Sequence, residues 1–157
     1  GRGVVCGWFG RLQLLVGGAI EAGRRCTRGM MQGGAGAVIW GGESTITLPP
    51  DPGRGGRNQS VALAAALELA GSEGIVVLAA GSDGTDGPTE DAGALVDGGT
   101  VARGEAVGLD ATECLARADA GTFLAASGDL IQTGPTGTNV MDLLIGIKNS
   151  SAVSHAD

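Results

Sequence analysis

Three glycine-rich stretches hold most of the residues able to do chemistry: GRGGRNQ (53–59), GSDGTDGPT (81–89) and TGPTGTNVMD (133–142). The first sets Arg54 and Arg57 beside flexible backbone, followed by Asn58 and Gln59, just ahead of a helical run. Arginine at a helix N-terminus opposes the macrodipole, which prefers negative charge there. A bound phosphate would remove that conflict, because a guanidinium grips phosphate with two parallel N–H groups. Pairing of these arginines with the acids of the second stretch would remove it equally well.

The second stretch supplies Asp83 and Asp86 with Thr85 between them, and the third offers Thr133, Thr136, Thr138 and Asn139. Converging carboxylates at ~4 Å and an effective dielectric near 20 repel by about 4 kcal/mol, so a cation or a shared proton must relieve them. Phosphoryl transfer uses such an arrangement: Mg²⁺ between carboxylates and phosphate oxygens, and an acid that orients or deprotonates the nucleophile. Asp83 and Asp86 are therefore the candidate metal ligands. The competing reading is a pair of Asp-Gly turns with solvated side chains. Hydroxyls and amides of the third stretch could cradle a phosphate or a hydroxy acid. It lacks the Lys-Ser/Thr ending of a Walker loop, and no GxGxxG follows a strand, so a nicotinamide site has no support.

The elements that must position these loops are legible in part. AVIWGGESTITL (37–48) reads as a β-branched run interrupted at Gly41-Gly42, and PPDPGRGGRNQ (49–59) as a loop. SVALAAALELAG (60–71) is an Ala/Leu helix stopped by Gly71. GIVVLAAG (74–81) is a short continuous apolar strand of the kind found in parallel sheets. Residues 99–107 and 110–118 read as short helices, the second with Asp110 and Glu113 in capping-box spacing. Two apolar stretches bracket the third loop within 127–147. The alternation of strand and helix indicates an α/β fold, a layered mixed sheet with flanking helices, in one domain over 37–147. Residues 1–36 read as an irregular start with a helix around 11–27, and 148–157 as a polar tail that frays.

Composition narrows the field. Net charge is −7, which speaks against a general nucleic-acid binder, and 3% aromatic residues leave little for base stacking. Three cysteines, Cys6, Cys26 and Cys114, at wide spacing make neither a disulfide framework nor a zinc pattern and fit a reducing, cytoplasmic setting. The one histidine, His155, sits in the polar tail, so a histidine-based triad is not expected. No run of ~20 apolar residues spans a membrane. The start, GRGVVCGWFGRLQLLVGGAI, resembles a signal peptide only loosely, its apolar run being broken by Gly7, Gly10 and Arg11.

Taken in order, GGESTITL, GRGGRNQ with its alanine-rich helix, IVVLAAGSDGTDGPTEDAGA and GDLIQTGPTGTNVMDL resemble the C-terminal MOFRL domain of class II glycerate 2-kinases, over about residues 37–146. Members of that family are often labelled hydroxypyruvate reductases. The resemblance implies a two-domain α/β enzyme that moves the γ-phosphoryl of ATP to the 2-hydroxyl of D-glycerate with Mg²⁺, in a cleft between this domain and a larger N-terminal one. It implies Arg57 at the substrate or phosphate and Asp83 in catalysis, with Asp86, Thr136 and Asn139 close by. It also implies that the chain needs an N-terminal domain to act, and an apolar face that such a domain would cover predicts self-association as a homo-oligomer. Ser82 stands where the family has threonine, and Met141 where it often has asparagine. Ala118-Asp119-Ala120-Gly121-Thr122-Phe123-Leu124 stands where the family has an NDSYTFF-like stretch. The alternatives are a hydroxypyruvate reductase-type oxidoreductase and a binding domain without catalysis.

Overall fold

A computed structural model describes residues 11–150, with side chains from Gln13 onward. Six strands form one mixed sheet in the order β1-β2-β6-β3-β4-β5. They are β1 (Arg11–Leu15), β2 (Gly36–Gly42), β3 (Ile75–Gly81), β4 (Gly93–Asp97), β5 (Leu130–Ile131) and β6 (Asp142–Lys148). Only β1 and β2 run parallel; the other neighbours are antiparallel. Helices α1 (Ala19–Gln32), α2 (Arg57–Leu69), α3 (Thr100–Glu105), α4 (Ala111–Ala116) and α5 (Ala120–Ser127) complete the fold.

Strand alternation sorts the sheet into two faces. Trp40, Leu144, Ala79 and Ala94 lie in one cross-strand row, and they are buried in the same core as α1 and α2. Ile39, Ile145, Leu78 and Leu95 form the neighbouring row on the opposite face, where side chains are half-buried or exposed. Helix α2 is the centre of the helical layer. Asn58 to Ala66 and Leu69 are all buried, and its run of alanines lets neighbouring elements approach closely without side-chain entropy to lose.

Several expectations are corrected. The described part of 1–36 is regular rather than irregular: 11–15 is a strand, and the helix runs over 19–32 rather than 11–27. Leu15 is buried, the neighbouring Leu14 is exposed, and Gln13 lies opposite Trp40, accepting its indole N–H at 2.8 Å. The 74–81 strand is antiparallel to both neighbours, and its residues alternate between buried and half-buried positions. The 37–48 run leaves the sheet at Gly42, so that Ile46 and Leu48 reach the cleft described below. Lys148, placed in the fraying tail, ends β6 and is buried. Its ammonium donates to the Met31 and Gly33 carbonyls at 2.7 and 2.8 Å, satisfying acceptors at the C-terminal end of α1. Strand β4 and helix α5 were not anticipated.

The helix at 110–118 stands as α4, with Asp110 accepting the Glu113 N–H at 2.7 Å. Cys26 and Cys114 are free and buried, and burial pushes both thiols up, away from reactivity. Cys6, His155 and the signal-like start up to Gly10 lie outside the described residues.

Candidate functional site

The N-terminus of α2 and the C-terminal end of β3 meet the start of β6 at one end of the sheet. A cleft of about 250 Å³ opens there, lined by Arg57, Asp83, Thr85, Asn139, Met141 and Asp142, with Asn58, Asp86, Ile46 and Leu48 completing it. A larger groove of about 870 Å³ lies beside α1 and β2, but its lining is mostly apolar or glycine, with Arg25 its one charged residue. The smaller cleft, and not this groove, brings Arg57, Asp83 and Asp86 together.

Helix α2 begins at Arg57, three residues before the sequence suggests. Its N-cap, Gly56, has no side chain to give, and Asp86 does the capping from another loop. Asp86 Oδ1 accepts the Asn58 backbone N–H at 3.0 Å and the Asn58 Nδ2 at 3.2 Å; Oδ2 accepts the Gln59 N–H at 2.8 Å. These are the two helix amides that a capping side chain normally satisfies, and the negative charge suits the helix dipole. Gly56 is required by this approach, since any Cβ there would collide with the Asp86 carboxylate and backbone. Asp86 is buried, which pushes its carboxyl up, and Asp142 adds to that rise; the bonds from Asn58 and Gln59 work the other way.

Asp86 and Asp83 thus have different settings despite their matching Asp-Gly context. Asp83 is half-buried. Its Oδ1 accepts the Thr85 N–H at 3.0 Å and the Thr85 hydroxyl at 3.1 Å, which closes a local turn. Among the described residues, its second oxygen has no protein donor. The acid that faces Asp86 is Asp142, and the Asn58 amide bridges them, donating 3.2 Å to one and 3.0 Å to the other.

Asp142 is 2% exposed and takes the fork of Arg57, with Nε at 2.7 Å and Nη2 at 3.3 Å. Nη1 of Arg57 meets the exposed Glu43 at 2.8 Å. The hydrogen bond to Asp142 raises the Arg57 pKa further, so the guanidinium stays charged. Sequence reading missed both Glu43 and Asp142. The available signal was an acid at the first position of a strand that follows a Gly/Thr loop, and another just after the Gly41-Gly42 break.

The third loop is fastened to the second. The Thr136 N–H donates to the Asp83 carbonyl at 3.1 Å and its hydroxyl to the Ser82 carbonyl at 2.6 Å. The Ser82 hydroxyl donates to the Met141 carbonyl at 2.7 Å and accepts the Val140 N–H at 2.8 Å. Asn139 Oδ1 accepts the Met141 N–H at 2.9 Å. Gly84 lies so close to the Gly134 carbonyl that a side chain at 84 could not fit.

Of the residues picked from the sequence, Arg57, Asn58, Asp83, Thr85, Asp86 and Asn139 share the cleft, and Thr133, Thr136 and Thr138 do not line it. Thr136 holds loop to loop, Thr138 supplies backbone groups to Thr136, and the Thr133 hydroxyl donates to its neighbour, the Gly134 carbonyl, at 2.8 Å. Gln59 points into the interior, where its Nε2 donates to Thr89 Oγ1 at 2.9 Å. Arg54 departs from the phosphate reading and pairs with an acid instead: its Nη2 bonds Asp91 at 2.5 Å, a wholly buried residue two positions beyond the second stretch that also accepts from Gln132 at 2.8 Å. Asp86, with both oxygens taken by α2, does not fit as a metal ligand, whereas Asp83 has an oxygen to offer.

Met141 holds φ +70°, a left-handed conformation that costs an unbranched side chain roughly 1 kcal/mol and suits asparagine better. Met141→Asn is expected to raise stability by about 0.5–1 kcal/mol, seen as a higher urea midpoint with an unchanged slope. A lower midpoint would show that the Met141 side chain makes packing contacts worth more than the strain.

The MOFRL family model matches residues 36–142. The D-glycerate 2-kinase of Thermotoga maritima is 50% identical over 111 residues, covering 71% of this chain and 26% of that protein. The glycerate 2-kinase of Pyrococcus horikoshii is 41% identical over 113 residues, covering 72% and 26%. Among solved structures, the glycerate kinase of Thermotoga maritima superposes with a TM-score of 0.85 at 41% identity, covering 90% of this chain and 36% of that one. The chain therefore spans about a quarter of the length of these two curated relatives.

Proposed function

Because the chain belongs to the MOFRL family, we propose that it forms one wall of the phosphoryl-transfer cleft of a glycerate 2-kinase. The observation that carries this reading is the placement of Arg57 and Asp83 on one cleft, with Thr85 and Asn139 beside them. Phosphoryl transfer asks a protein mainly for positioned charge, and this wall supplies a fixed cation and a carboxylate with a free oxygen. Most of the matched relatives are named as glycerate kinases, against two named putative hydroxypyruvate reductase, and this favours the kinase over the oxidoreductase alternative.

In the reaction, the 2-hydroxyl oxygen of D-glycerate forms a bond to the γ-phosphorus of ATP as the bond to the ADP oxygen breaks, and the hydroxyl proton passes to the Asp83 carboxylate or, where Asp83 only orients the hydroxyl, to solvent. Arg57 holds an anionic group of the substrate or the phosphoryl group, and Asp83 orients or accepts from the hydroxyl. Asn139 and Thr85 border the same space. If Asp83 held Mg²⁺ with its free oxygen instead, the ion would supply positive charge to the transferring group. The remaining groups come from parts of the relatives that this chain does not match.

The test is a chimaera in which residues 36–148 replace the matching segment of the Thermotoga maritima enzyme. ³¹P NMR with Mg-ATP and D-glycerate is expected to show 2-phosphoglycerate and ADP. A folded chimaera that yields neither would sink the proposal.

A further inference from the structure

Arg57 has two carboxylate partners of opposite character. Asp142 is 2% exposed, takes Nε and Nη2 together and is itself held by Asn58 Nδ2 at 3.0 Å. Glu43 has a side chain 55% exposed and touches only Nη1, at 2.8 Å. A buried carboxylate fixed by three N–H groups cannot leave without stranding an unpaired charge in the interior. An exposed one, on a long side chain, is bound by little more than thermal energy. Glu43 also directly follows the end of β2, whose last residue Gly42 lies opposite Asp142 in the sheet, so the two acids approach Arg57 from neighbouring strands.

From this asymmetry we infer that Asp142 is the positioning residue that aims Arg57, and that Glu43 is an internal anion occupying the arginine's ligand position until a substrate carboxylate or phosphate displaces it. This rests on Arg57 being the anion-binding group of the function proposed above. The fork leaves Nη1 as the guanidinium nitrogen without a buried partner, and the exposed Glu43 carboxylate on it marks where a second oxyanion can sit. Glu43 then acts as a selectivity filter: only a ligand that binds the guanidinium better than an exposed glutamate takes its place.

Charge alone and geometry make opposite forecasts. Glu43→Gln and Asp142→Asn each remove one negative charge beside Arg57, so simple electrostatics tightens anion binding in both. Our assignment has Glu43→Gln binding three- to fivefold tighter, the range expected for removing an exposed ion pair, and Asp142→Asn binding roughly tenfold weaker through loss of aim. The full chain is titrated separately with inorganic phosphate and with D-glycerate, followed by ¹H–¹⁵N NMR of the arginine Nε–Hε groups. The arm that shows the effect identifies which oxyanion uses the position. The Arg57 Nε–Hε signal should persist in Glu43→Gln and lose its exchange protection in Asp142→Asn, while the backbone spectrum of both variants stays folded. Tighter binding in both variants, or no change in Glu43→Gln, overturns the inference and leaves Arg57 as an anion site. Equal affinity in Arg57→Lys, or no saturable shift in the unaltered chain, overturns the reading on which it rests.

Discussion

Asp86→Ala is expected to remove about 4 kcal/mol of folding stability, the largest loss for any residue of the cleft. Three N–H groups lose an acceptor at once, at 2.8–3.2 Å: the backbone N–H of Asn58, that of Gln59, and one of the two on the Asn58 side-chain amide, whose other bond to Asp142 remains. A buried donor left without a partner costs roughly 1–3 kcal/mol, and a lost N-cap roughly 0.5–2 kcal/mol; part of the sum is recovered if water enters. Domains of this size are stable by only about 5–15 kcal/mol, so the midpoint of thermal unfolding should fall by roughly 10 °C. Asp86→Asn separates charge from geometry. It keeps one acceptor oxygen but turns an NH₂ toward the Asn58 or Gln59 N–H, so about half of the loss should remain. Denaturant unfolding measures both, and a change below about 1 kcal/mol in Asp86→Ala would mean that α2 does not depend on this cap.

Asp83→Asn is expected to do the reverse in the chimaeric enzyme: turnover falls by roughly 10³-fold, or about 4 kcal/mol of transition-state stabilisation, while unfolding shifts by less than about 1 kcal/mol. Asp83 is half-buried, and its side-chain bonds are the two local ones from Thr85, which an asparagine oxygen can still accept. What asparagine cannot do is take up a proton or present negative charge to a cation. Steady-state kinetics with ADP release coupled to an assay reads the effect. A variant that retains more than a tenth of the turnover would place the chemistry elsewhere in the cleft. The two aspartates, three residues apart, should thus split cleanly between fold and reaction.

That split could not be read from GSDGTDGPT. Both residues are followed by glycine, both are turn formers, and the resemblance to glycerate 2-kinases marks both as close to the site. What separates them is the position of α2, whose amides lie within reach of Asp86 and out of reach of Asp83. Likewise the arginine pair in GRGGRNQ divides: Arg54 is drawn to buried Asp91, Arg57 to buried Asp142. The acid brought up to Asp86 is Asp142 and not Asp83, and the Asn58 side-chain amide bridges the two.

By itself the sequence determined the elements whose signals are local. The alanine and leucine run of α2, the Asp110 cap of α4, the apolar β3 and the three loops that border the site all depend on residues within a few positions of one another, as does the mixed α/β character. Tertiary structure alone decided the rest. It set β1 as the parallel edge strand, buried Lys148 on the end of α1 and made β3 antiparallel. It turned Asp86 inward across 28 residues and tied Arg57 to Asp142 across 85. The physical reason is that propensity and capping act over a turn of helix or a short strand. The fate of a charged side chain is settled by whichever opposite charge or unsatisfied amide the folded chain brings within about 3 Å, at any distance along the sequence.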